Sequence, residues 1–98
     1  MANYILQILK SNLMIVFSWG FNAPRALENG LSFRVNGFKY QGEVQVIYNE
    51  GNDLFEIHLP ATGKVIPDVY FDQLIEVIDN EVEKIANYEQ KIRSEYGI

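Results

Sequence analysis

The chain has 98 residues, 48% of them apolar, thirteen aromatic side chains, a formal net charge of −5 and no cysteine. That length supports one core and not two, so a single domain over residues 1–98 is expected, and the composition excludes a disordered chain. Without cysteine there is no disulfide framework, thiol nucleophile or thiolate metal site, which fits a cytoplasmic protein.

Ala2 to Lys10 reads as a short helix, with Ile5, Leu6, Ile8 and Leu9 on one face and Ser11-Asn12 ending it. The stretch is apolar as far as Phe21, but Lys10, Ser11 and Asn12 interrupt it, so no membrane span is expected. Leu13 to Phe21 is rich in β-branched and aromatic residues, and both of its alternating sets are mostly apolar. That favours a strand with both faces at least partly covered. The rival reading is one helix from Ala2 to Trp19. Gly20 to Gly30 holds five turn formers and reads as a long loop, with room for one helical turn over Pro24–Glu28.

Leu31 to Leu59 carries the strongest sheet signal. Asn36-Gly37 is read as a two-residue hairpin turn. It places Val35 opposite Phe38, Arg34 opposite Lys39 and Phe33 opposite Tyr40. A second turn near Glu50–Asp53 sets Tyr48 against Phe55, Val46 against Ile57 and Val44 against Leu59. Both registers agree on one apolar and one polar face. Gly42 falls on the apolar face and marks a bulge, a bend or a close approach. Pro60–Gly63 forms another turn, Lys64–Ile66 a short strand, and Pro67-Asp68 opens a helix running to Tyr96. Phe71, Ile75, Ile78, Val82, Ile85, Ile92 and Tyr96 repeat at helical spacing, with Glu89 filling the one gap.

The expected fold is α+β: an antiparallel meander of four to five strands, in the order α-β-β-β-β-(β)-α. A short N-terminal helix and a long C-terminal amphipathic helix cover its apolar face.

No catalytic motif is visible, and no metal or cofactor is called for. His58, the single histidine, falls on the polar face near Glu56 with no nucleophile beside it. Asp72, Glu76, Asp79 and Glu83 make an acidic stripe on the closing helix, open to a hard cation or a basic partner. The whole charge imbalance lies there: residues 1–67 carry five basic and five acidic side chains, residues 68–98 three and eight. Arg34 opposite Lys39 is unfavourable unless an anion docks between them. Ile47 and Leu54 on the polar face, with Trp19 and Phe21, offer a further apolar surface.

The leading expectation is a small non-enzymatic interaction module that binds another protein or a second copy of itself. Its partner surface would lie on Glu89, Ile92 and Tyr96, where a helix this long outruns the sheet. One alternative is nucleic-acid or anion binding through the Arg34/Lys39 hairpin, which the acidic balance disfavours. Another is an inhibitor that presents the acidic helix to a basic protein.

Overall fold

The structure, a computed structural model, describes residues 1–83. These form an α+β fold in which five antiparallel strands make one open sheet and helices pack on one face of it. Helix α1 spans Ala2–Lys10 and α2 Leu13–Ser18. Strands β1 (Asn22–Leu27), β2 (Gly30–Asn36), β3 (Gln41–Asn49), β4 (Leu54–Leu59) and β5 (Lys64–Val69) follow in meander order. A 3₁₀ turn, Phe71–Gln73, leads into α3, Leu74–Val82.

The alternation along the central strands makes the core. Leu31, Phe33 and Val35 on β2, Val44 and Val46 on β3, and Phe55, Ile57 and Leu59 on β4 all turn inward. Ile5 and Leu9 of α1, Val16 and Trp19 around α2, and Leu74, Ile78 and Val82 of α3 close over them. Each such side chain contributes about 1.5–3 kcal/mol by leaving water. The second hairpin has the register expected for it: Tyr48 faces Phe55, Val46 faces Ile57 and Ile47 faces Glu56.

Four expectations are corrected. Residues 13–18 are helix and not strand. Ile5, Leu9, Val16 and Trp19 are buried at steps of four, seven and three, so one helical stripe continues past a break at Asn12, whose φ/ψ is −145/72°. The second apolar set, Leu13, Met14 and Phe17, is not buried at all; it faces solvent, and an apolar outer face imitated a two-sided strand.

Residues 22–27 are an edge strand, not a loop with a helical turn. Its turn formers sit at an irregularity: pairing with β2 breaks between Asn22 and Arg25, Ala23 has φ +52°, and Pro24 lacks an N–H.

The first hairpin closes through four residues, Gly37–Tyr40, and not two. Arg34 faces Glu43, Phe33 faces Val44 and Val35 faces Gly42. Because the slip is an even number of residues, Phe33, Val35 and Tyr40 keep the inward side, while Phe38, expected opposite Val35, lies in the loop and is exposed.

The closing helix begins later than expected. Pro67 and Asp68 still belong to β5, and Asp68, with φ +58°, bonds Asn52 Nδ2 through Oδ1 at 3.0 Å. Asp68 is therefore no helix cap. The 3₁₀ turn is closed by the backbone N–H of Gln73, which donates to Tyr70 O at 2.9 Å, and α3 follows it. Its buried stripe is Leu74, Ile78 and Val82, while Phe71 is 56% exposed.

The far end of α3 is clasped by the β2–β3 loop. Val82 O accepts from Lys39 N at 2.8 Å and Tyr40 N at 3.2 Å, and Lys39 Nζ donates to Asn80 O at 3.1 Å. These bonds satisfy carbonyls that a helix C-terminus leaves free, and the ammonium suits the negative end of the dipole. The other edge, β5, resembles β1 in carrying a proline, a left-handed residue and a break in register opposite Phe55–Ile57. No helix among the described residues is long and apolar enough to cross a membrane.

Candidate functional site

Arg34 and Lys39, expected to form an anion clamp, are not opposite one another. Arg34 lies across from Glu43, and Lys39 is spent on the end of α3. The like-charge pair that motivated the clamp is absent, because the longer loop moves Lys39 out of the ladder.

The acidic stripe is divided in its roles. Asp79 is half-buried and accepts from Trp19 Nε1 at 2.9 Å, which ties α3 to the end of α2. Asp72 and Glu76 are exposed, and Glu83 is half-buried. The ion pair on this helix is made by a residue outside the stripe, Glu81, with Lys64 at 2.9 Å. Glu89, Ile92 and Tyr96 lie outside the described residues.

The polar face of the sheet holds short-range pairs. His58 Nε2 meets Glu56 Oε1 at 3.1 Å, and Gln45 Nε2 donates to Glu43 Oε2 at 2.5 Å. Ser32 shares the row of Gln45 and His58 but is two strands away from the imidazole, beyond proton-transfer reach. Among the described residues no group of three or more His, Asp or Glu is placed to hold a metal ion. Trp19 is fully buried and Phe21 packs on Phe33 with ring centroids 4.7 Å apart, so neither joins Ile47 and Leu54 in a surface.

Two surfaces not anticipated as sites stand out. The first is the outer face of α2. Met14 is 85%, Phe17 66% and Leu13 44% exposed, and Phe38 in the β2–β3 loop is 78% exposed at the same end of the molecule. Asn36 N donates to Trp19 O at 2.7 Å, so the loop carrying Phe38 follows directly from the exit of α2. The two phenylalanines together expose roughly 300 Å², within the range of the largest apolar patch on a typical monomer.

The second is a groove of about 520 Å³ at the opposite end of β3. It runs between the start of α1, the β3–β4 turn and the 3₁₀ turn. Five aromatic side chains line it: Tyr4, Tyr48, Phe55, Tyr70 and Phe71. Phe55 forms the buried floor, with Tyr4 stacked on it at 6.4 Å and Tyr48 tilted against it at 5.4 Å. Asp53, held at φ +60° in the turn, accepts the hydroxyl proton of Tyr48 through Oδ1. In the sequence, Tyr70-Phe71 is an aromatic pair just where a helix starts, but nothing local ties it to Tyr4 or Tyr48.

The hydrogen bond to Asp53 raises the Tyr48 pKa above the ordinary tyrosine value, with desolvation and the charges of Asp53 and Glu50 acting in the same direction. A raised folded-state value means the fold prefers the neutral phenol. The contribution is present below the unfolded pKa, about 10, and is lost as pH rises through the folded value. Titration of ¹³C-labelled tyrosine should therefore show Tyr48 ionising above that range. Asp53→Asn, which removes the charge but tolerates the left-handed backbone, should bring it back down. Compared with known proteins, the chain matches no family model, no curated protein and no solved structure.

Proposed function

We propose that the chain is a non-enzymatic protein-interaction module that pairs with a second copy of itself. The observation that carries this reading is the bare apolar face of α2, where Leu13, Met14 and Phe17 contact solvent; Phe38, two residues past the bond of Asn36 N to Trp19 O, is exposed as well. The α2 segment, Leu-Met-Ile-Val-Phe-Ser, has no charged side chain. A two-fold pairing sets the same patch against itself, and here that opposes no like charges. The clasp on Val82 sets the exit of α3 beside this patch. From there the sequence continues to Ile98 with Ile85, Ile92 and Tyr96 still at helical spacing. A stable interface needs about 800 Å² from each partner. The α2 patch and Phe38 supply part of that, and the continuing apolar series is the natural source of the rest.

Sedimentation velocity on the full chain tests this. The wild type should sediment as a dimer across the micromolar range. A Met14→Asp, Phe17→Asp double variant should sediment as a monomer with an unchanged circular dichroism spectrum, since both side chains are mostly exposed. A wild type that stays monomeric at every concentration overturns the reading.

A further inference from the structure

The geometry points to the aromatic groove as a binding site for an alkylated ammonium group, of the trimethylammonium class. This is independent of self-association, which uses the other end of the molecule.

The argument proceeds by elimination among ligand chemistries. Tyr4, Tyr70 and Phe71, which are 46%, 56% and 56% exposed, line the walls over a floor of Phe55. Aromatic faces carry negative potential and attract cations. The Asp53 carboxylate is part of the same lining, and no lysine, arginine or histidine side chain is. The one charged side chain of the lining is thus acidic, which disfavours an anion. A neutral apolar ligand would satisfy the rings but would have to desolvate the carboxylate without compensation.

Among cations, guanidinium recognition draws its strength from a carboxylate with both oxygens free for a two-pronged contact. Here Oδ1 of Asp53 is taken by the Tyr48 hydroxyl. A bare ammonium brings three N–H donors that each want an acceptor, and the groove is mostly carbon. A trimethylammonium group donates no hydrogen bond. It spreads its charge over methyl groups that pack on rings, and it needs only one nearby negative charge. Asp53 supplies that charge, because its other oxygen accepts no hydrogen bond from any described residue.

The test titrates the full chain with choline, and separately with its neutral carbon isostere 3,3-dimethylbutan-1-ol, following aromatic resonances by NMR. Choline should shift the signals of Tyr4, Phe55 and Tyr70, and should bind about fivefold more tightly than the alcohol. Asp53→Asn should weaken choline about threefold and leave the alcohol unchanged. Tyr70→Ala, at an exposed position, should weaken choline without changing the fold. A short peptide carrying trimethyllysine forms a further arm. Tighter binding than choline identifies a protein-borne ligand, and equal binding identifies a free small molecule; both support the site. Equal affinity for choline and the alcohol, or no response of the groove resonances to choline, overturns it.

Discussion

Replacing Trp19 with alanine is expected to cost about 3–5 kcal/mol, a large share of the roughly 5–15 kcal/mol that holds a domain of this size. The indole is fully buried, lies nearly parallel to Phe33 with centroids 6.5 Å apart, and donates to Asp79 from the centre of α3. Alanine would empty the largest buried side-chain volume in the core and leave a half-buried carboxylate without its donor. Urea unfolding followed by circular dichroism should show the midpoint fall with the slope preserved. Trp19→Phe separates the two contributions. It keeps a ring against Phe33 but removes the N–H, and should cost about 1–3 kcal/mol. If the phenylalanine variant is as stable as the wild type, the bond to Asp79 adds nothing.

Gly37→Ala is expected to lower stability by about 2–4 kcal/mol, although the position is in a loop. A Cβ added there would overlap both the side chain and the carbonyl oxygen of Val82. That oxygen is the acceptor for Lys39 N and Tyr40 N, so the loop must lift away and give up both bonds. Val82, fully buried, would then be opened to water. Hydrogen exchange should show the Lys39 and Tyr40 amides losing protection ahead of those of β3 and β4. Unchanged protection would mean that the clasp relaxes around the methyl group at little cost.

The same glycine shows what was legible in the sequence. Asn36-Gly37 announced a reversal of the chain, and one is there. The inference went wrong on why the residue is glycine. A two-residue Asn-Gly turn takes a positive φ at both positions, yet Gly37 is not among the residues in the left-handed region. It is glycine because a helix end that is 45 positions away in the chain comes too close for a side chain. Local turn rules contain no such term. The second hairpin, whose register depends only on its own turn and alternation, was read correctly from Tyr48–Phe55 through Val46–Ile57.

Leu13, Met14 and Phe17 misled for a related reason. A binary pattern assumes that apolar residues are buried, and an exposed apolar helix face breaks that assumption. The aromatic groove was invisible because its walls come from the start of α1, the β3–β4 turn and the segment after β5. Only the fold brings Tyr4, Tyr48 and Tyr70 together. The acidic stripe was legible as spacing, but not the employment of Asp79 by Trp19, a partner 60 residues distant.

The two prolines on the outer strands have a consequence for how this protein ages in solution. Pro24 on β1 and Pro67 on β5 each lack a backbone N–H, and Ala23 and Asp68 turn the backbone out of the extended path beside them. Neither margin offers a straight template on which another chain can lay down a strand. Fibril growth by stacking of native molecules is therefore blocked at both borders. Concentrated samples should not proceed to cross-β deposits by edge pairing of native molecules, which thioflavin fluorescence checks.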